Sequence, residues 1–251
     1  MIGDLPATPP QAFTLPDVET IWTSTGYQSL CALVQMIEAR SPRLAGHGER
    51  TAQYAVKLGY AVGLTTRDLR DLYFAALLHD IGLLTLPPEI LEKAGPLTAE
   101  EYALLQSHPR AGAQLLEPIA FLRTPAIWIA HHHERWDGYG YPYGLRGECI
   151  PLGSRILAVA DTFDALLDPS SPNRAVDFAC ALELLRLVAG THLDSALVEI
   201  FCRLAPDLRS LVDNPMPFSE WGVPPYPAGQ GALFPPGGTP ASHCFVIEQQ
   251  P

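Results

Sequence analysis

Six of the eight histidines lie between positions 47 and 133, and aspartates accompany them at places where a charge is costly. His79-Asp80 closes the apolar run Tyr73-Phe-Ala-Ala-Leu-Leu, so an ionisable pair falls on a buried helical stripe and requires compensation. Taken alone, that pair reads as a cap or a hydrogen-bonded couple. His131-His132-His133 follows a second apolar run, Ala126-Ile-Trp-Ile-Ala, and three adjacent imidazoles serve no ordinary packing purpose. Asp161 follows Leu157-Ala-Val-Ala, with Leu157, Asp161, Asp164, Ala165 and Asp168 along one side of a helix. An aspartate on a core stripe calls for a metal or a cationic partner. Imidazoles and carboxylates in this mixture suit Fe, Mn or Zn rather than Ca. A bridging carboxylate with flanking imidazoles could hold two ions about 3.5–4 Å apart and generate a hydroxide for in-line attack at phosphorus. The residues alone point to a dinuclear metallohydrolase in a helical bundle.

The elements that must position these groups read as helices. Leu30, Leu33, Val34 and Ile37 recur at helical spacing over 27–40, and Ser41-Pro42 ends that helix. A second helix is predicted from about 48 to 63, with Ala52, Ala55, Val56, Gly59 and Tyr60 inward. A third, capped by Thr66 or Asp68, carries the stripe Leu69, Leu72, Ala76, His79. Thr98-Ala-Glu-Glu matches a capping box opening a helix that carries Tyr102, Leu105 and Leu115. Further helical patterns cover 122–133, 153–167, 175–189 and 193–204. Strand-like alternation and internal repeats are missing, so the fold class is all-α. The stretch 135–152 holds four glycines and two prolines among Trp136, Tyr139, Tyr141 and Tyr143, and reads as a long ordered loop.

Composition narrows the function classes. With 16 Lys and Arg against 27 Asp and Glu, the net charge is −11, which disfavours a nucleic-acid polymer as partner. No apolar run approaches the roughly 20 residues that span a bilayer. The start lacks the basic and apolar regions of a secretory signal, and the five cysteines form no Cys-x-x-Cys pair, so a reducing cytoplasm is expected. Prolines concentrate at the ends and divide the chain into a Pro-rich segment 1–24, a helical domain 25–212 and a Pro/Gly-rich tail 213–251. About 45 residues precede His47, fewer than the roughly 100 of a receiver or sensor domain. Regulation is therefore expected from a partner, the redox or metal state, or the N-terminal helix.

Six motifs occur in order: Leu78-His-Asp-Ile-Gly, Leu97-Thr-Ala-Glu-Glu-Tyr, His108-Pro-Arg-Ala-Gly, His132-His-Glu-Arg-Trp-Asp-Gly-Tyr-Gly-Tyr-Pro, Gly144-Leu-Arg-Gly-Glu-Cys-Ile-Pro-Leu and Val159-Ala-Asp-Thr-Phe-Asp-Ala-Leu. From about His47 to Phe201 the chain closely resembles the HD-GYP family, bacterial phosphodiesterases of cyclic di-GMP within the HD superfamily. The resemblance implies hydrolysis of cyclic di-GMP to pGpG or GMP through a metal-bridging hydroxide, with His79 and Asp80 at the catalytic centre. It implies one metal at His47, His79, Asp80 and Asp161, and a second at His108, His132 and His133 with Asp80 as bridge. Fe or Mn is the expected metal, with Zn, Ni or Mg also compatible. His131, His192 and His243 fall outside the ligand set. The loop Gly138, Tyr139, Gly140, Tyr141, Pro142 is similar to the motif that shapes the substrate pocket and can contact diguanylate cyclase domains. Arg174, Tyr141 and Arg110 are the expected substrate contacts.

Three positions depart from the family pattern. Leu83 stands where the family has a lysine that approaches a substrate phosphate, and losing such a donor commonly costs about 3–4 kcal/mol of transition-state stabilisation. Arg110 or Arg155 could take that role. Arg43 stands where trinuclear members have a glutamate, so two metals are expected rather than three. Ser171 replaces one of two arginines in the segment that keeps Arg174. Thinned cations beside intact ligands leave an alternative, a weakly active or inactive metal-containing receptor or interaction module. A third reading, another HD-type nucleotide phosphohydrolase or a di-iron oxygenase, is disfavoured by the intact loop. Two metal cations would receive phosphates without a basic surface, which reconciles the acidic chain with a nucleotide substrate.

Overall fold

The computed structural model describes residues 25–41, 44–93, 95–168 and 175–213. Helical periodicity is realised there as α1 (Thr25–Glu38), α2 (His47–Ala61), α3 (Thr66–Leu78), the one-turn α4 (Pro88–Leu91), α5 (Ala99–Leu105), α6 (His108–Leu116), α7 (Arg123–Ala130), α8 (Leu152–Leu167), α9 (Phe178–Val188), α10 (Ser195–Arg203) and α11 (Ala205–Asp213). Short 3-10 helices cover Ile81–Thr85, Ala120–Leu122 and Gly147–Cys149. The described residues contain no strand, only an isolated bridge between Ala189 and Leu193, and the fold is all-α as expected. No described helix is long and apolar enough to cross a membrane.

Side-chain caps set several boundaries. Thr65, rather than Thr66 or Asp68, caps α3, its hydroxyl accepting from Asp68 N at 3.2 Å. The capping box at Thr98 and Glu101 is present, but the helix it opens ends at Leu105. Pro109 lacks an amide hydrogen and so suits a helix start, and a separate α6 begins at His108. Tyr102 and Leu115, expected on one helix, lie on two, and both are exposed. On α8, Ala165 is exposed and Asp168 lies past the helix end, so only Leu157, Asp161 and Asp164 of the expected stripe serve the interior. The last helix, α11, has no counterpart in the sequence reading, and it buries Leu208 and Leu211.

α2 packs chiefly between α3 and α8, and two neighbours give it a broad buried arc: Thr51, Ala52, Gln53, Tyr54, Ala55, Leu58 and Gly59. Tyr60, expected inward, is 47% exposed because that arc is centred nearer Ala55 than a single-stripe reading allows. On α8, Phe163 meets Tyr54 of α2 at 5.1 Å, Phe178 of α9 at 5.7 Å and Phe201 of α10 at 5.0 Å, all edge-on. This aromatic hub holds α8 at the height where Asp161 faces α2. Phe163→Ala is expected to destabilise the fold by about 3–5 kcal/mol, read as a lowered denaturant midpoint.

A second close approach comes from Gly82. A Cβ there would lie 1.9 Å from His108 O and 2.7 Å from Gly112 N, so only glycine lets the 3-10 turn rest on the backbone of α6. That contact brings Asp80, just before the turn, against His108 at the start of α6.

Candidate metal centre

His47 opens α2, His79 and Asp80 follow the end of α3, and Asp161 projects from the middle of α8. Their polar atoms converge. His47 Nε2 lies 3.1 Å from His79 Nε2, 3.2 Å from Asp161 Oδ1 and 3.9 Å from Asp80 Oδ2. His79 Nε2 lies 3.5 Å from Asp80 Oδ2 and 3.7 Å from Asp161 Oδ1. The other oxygen of Asp80, Oδ1, lies 3.6 Å from His108 Nε2. Beyond His108 stand His133, at 5.0 Å between ring centroids, and His132, at 5.3 Å. His47, His79 and Asp80 form one group whose donor atoms lie within 4.8 Å of one another, and His108, His132 and His133 form a second. All seven residues expected as ligands thus come together, with one carboxylate oxygen of Asp80 facing each group.

Ring orientation shows what the groups suit. Nδ1 lies 2.7 Å from Ala76 O in His79, 2.8 Å from Leu105 O in His108 and 2.7 Å from Ile129 O in His132. A carbonyl has no proton to give, so each Nδ1 donates, and in the neutral ring each Nε2 then turns a lone pair inward. The Nε2 atoms of His108 and His132 are buried without a hydrogen-bond partner. A bare buried acceptor is costly, and a divalent cation is the partner that imidazole lone pairs fit. The chain therefore carries candidate metal-binding His/Asp groups.

Charge states follow from the surroundings. Burial, reinforced by neighbouring imidazoles, pushes His132 well below its ordinary value. Burial brings His133 down to about 4 although Asp161 pulls the other way. Burial also lowers His108. Burial works against the charges of Asp80 and Asp161, yet the surrounding histidines outweigh it and hold both below the usual carboxylate range. His47 is opposite in sign: burial disfavours its cation, but Asp161 and Asp164 raise it well above 6.5. A proton on His47 competes with a metal for Nε2. Below that raised pKa, Mn2+ affinity at the His47 group is expected to fall about tenfold per pH unit. His133 imposes no such loss until the pH nears 4, and burial holds His132 neutral well below its ordinary value. Calorimetric Mn2+ titrations between pH 6 and 8 measure the difference.

The chain leaves α7 at Ala130, three residues before the expected end, because imidazoles take the last carbonyls. His131 Nδ1 binds Ile127 O at 2.7 Å and His132 Nδ1 binds Ile129 O. The loop then returns along the triplet. Tyr141 N donates to His133 O at 3.2 Å, the Tyr141 ring lies 4.9 Å from His133, and the Tyr143 ring lies 5.0 Å from His131. Glu134, only 4% exposed, accepts from Tyr143 N at 2.7 Å and Leu145 N at 2.9 Å. Gly138 adopts φ +86°, Tyr139 is 85% exposed, and the Tyr141–Pro142 peptide is cis. At the far side, Trp136 N and Asp137 N donate to the carbonyls of His192 and Thr191. Arg155 pairs with Asp194 at 2.7 Å and lies over Trp136, so it braces the loop. Arg110 is exposed on α6. Leu83 is buried at 6% exposure. Arg43, Ser171, Arg174 and His243 lie outside the described residues. Sequence reasoning passed over Glu134, whose only signal is an acid directly after the triplet, and it gave no partner to Asp164.

Residues 32–197 match the family model described as HD domain. The chain is 38% identical over 186 residues to a cyclic di-GMP phosphodiesterase response regulator of Xanthomonas campestris, covering 73% of this chain and 49% of that protein. It is 36% identical over 170 residues to 3'3'-cGAMP-specific phosphodiesterase 2 of Vibrio cholerae, covering 67% and 33%. A crystal structure of a cyclic GMP-AMP specific phosphodiesterase of Vibrio cholerae superposes with a TM-score of 0.60 at 25% identity, covering 78% and 52%. The chain thus spans about half or less of the length of the curated relatives it matches. The family match runs through every one of the converging His and Asp residues, and the chain belongs to the HD domain family in its HD-GYP form.

Proposed function

We propose that the chain is a metal-dependent phosphodiesterase that hydrolyses cyclic di-GMP to pGpG or GMP. The observation that carries this reading is the Asp80 carboxylate, which divides its two oxygens between two groups of inward-turned imidazoles. His47, His79, Asp80 and Asp161 would hold one divalent ion, and Asp80, His108, His132 and His133 a second. Fe or Mn suits this donor set best, with Zn, Ni or Mg as alternatives. Ions held there supply Lewis acidity toward a phosphoryl oxygen and an activated nucleophile. Tyr141 stands over His133 with its hydroxyl kept protonated, first by burial and then by nearby negative charge including Asp161 and Asp80, so it can donate to a substrate phosphate. The exposed ring of Tyr139 offers a contact for a diguanylate cyclase domain.

A buried, uncharged Leu83 favours the second reading, a metal-containing receptor with little turnover. Cyclic di-GMP and 3'3'-cGAMP, each incubated with Mn- or Fe-loaded protein and followed by chromatography, separate the two. Linear products support the enzyme. Binding without hydrolysis supports the receptor, and Leu83→Lys should then restore turnover. Neither binding nor hydrolysis would sink both. For the ligand register, His132→Ala is expected to lower bound metal whereas His131→Ala leaves it unchanged, as read by elemental analysis.

A further inference from the structure

His79, His108 and His132 rest Nδ1 on backbone carbonyls. His47 instead places Nδ1 2.7 Å from Oδ2 of Asp164, which comes from α8, 117 residues further along the chain. Asp164 is 1% exposed, and a buried carboxylate needs its charge balanced. Arg50 supplies the balance through two contacts, Nε to Oδ1 at 2.8 Å and Nη2 to Oδ2 at 2.9 Å. This two-point grip fixes the plane of the carboxylate. Arg50 stands on the same face of α2 as His47, one turn on, and its Nη1 also reaches Ala45 O at 3.3 Å. Two cross-links therefore tie the first turn of α2 to α8 at the height of the metal centre.

The chemical consequence falls on His47. An acceptor on Nδ1 keeps the proton there and turns the Nε2 lone pair toward His79, Asp80 and Asp161. A charged acceptor also makes the imidazole a stronger donor than a carbonyl would. The geometry points to Asp164, gripped by Arg50, as the positioning residue that orients His47 for metal binding. The inference rests on the reading of His47 as a ligand.

The test is Mn2+ affinity, measured by calorimetric titration of chelator-stripped protein. Asp164→Asn keeps the size of the side chain and removes its charge, and at alkaline pH, where no proton competes for Nε2, it is expected to weaken Mn2+ binding about 10- to 100-fold. On a His47→Ala background the same change should cost nothing further, whereas on a His133→Ala background it should cost as much as in the unaltered chain. Unchanged affinity in Asp164→Asn would overturn the inference. An undiminished loss on the His47→Ala background would overturn it too, since Asp164 would then act through the fold alone. Should Asp164→Asn fail to fold by circular dichroism, Arg50→Lys carries the test, because it keeps the charge but loses the two-point grip. A loss of affinity that vanishes on the His47→Ala background supports the inference, and no loss overturns it. Failure of the phosphodiesterase reading would appear separately, as absent hydrolysis in protein with intact Mn2+ affinity.

Discussion

Asp80→Ala is expected to empty both imidazole groups of metal and to lower hydrolysis of cyclic di-GMP at least about a thousandfold. The reason is positional. Asp161 faces His47 and His79 through Oδ1, so the first group keeps one carboxylate after the substitution. The second group has none, because Asp80 Oδ1 is the carboxylate oxygen paired with His108 among the described residues. Three neutral imidazoles without an anion would have to offset a dication by themselves. At the same time the one group that touches both sides is gone, so the two sites lose their common ligand. Mn2+ binding to the folded chain should raise its melting temperature by mass action, and Asp80→Ala should abolish that rise. Elemental analysis, a thermal scan with and without Mn2+, and the hydrolysis assay read the three consequences. A variant that keeps a full complement of metal would contradict the bridging role.

Of the proposed ligands, His79, Asp80, His132, His133 and Asp161 were legible because they break a local pattern, whereas His47 and His108 came only with the family resemblance. A histidine-aspartate pair at the end of Tyr73-Phe-Ala-Ala-Leu-Leu, or Asp161 after Leu157-Ala-Val-Ala, has no place on an apolar stripe unless something holds it. Asp164 broke the same pattern, but its partners lie 114 and 117 residues away, and a bond between two helices leaves no spacing to read. Glu134 beside Arg135 looks like a solvated acid until the loop folds back and covers it. Arg155 looks like a free cation on a helix until Asp194 and Trp136 are brought to it. The helix ends failed for a local reason that periodicity does not contain: the imidazoles of His131 and His132 compete for the carbonyls of the last turn of α7. Pro206 stands in the first turn of α11, where proline is tolerated in a helix.

Gly140→Ala is expected to lower hydrolysis about a hundredfold or more while leaving the His47 group able to bind metal. A Cβ at this position would lie 2.2 Å from Arg135 N, 2.6 Å from Glu134 Cα and 2.6 Å from His133 O. All three are backbone atoms, so no side-chain rotation relieves the clash and the loop itself must lift. Lifting it breaks the Tyr141 N to His133 O bond and draws the Tyr141 ring away from His133. Three rings brace His133, His132 at 4.0 Å, Tyr141 at 4.9 Å and His108 at 5.0 Å, and the movement takes one of them away. The same movement takes Tyr143 N and Leu145 N from Glu134, leaving a buried carboxylate short of donors at a cost of a few kcal/mol, on the order of 1–3 per lost partner. Metal should therefore be lost from the His108 group in preference to the His47 group. Tyr139→Ala is the matched control: its ring is 85% exposed, and metal content and turnover should stay as they are. If Gly140→Ala retains full activity, the loop does not position His133, and the stacking of Tyr141 on that imidazole has no part in catalysis.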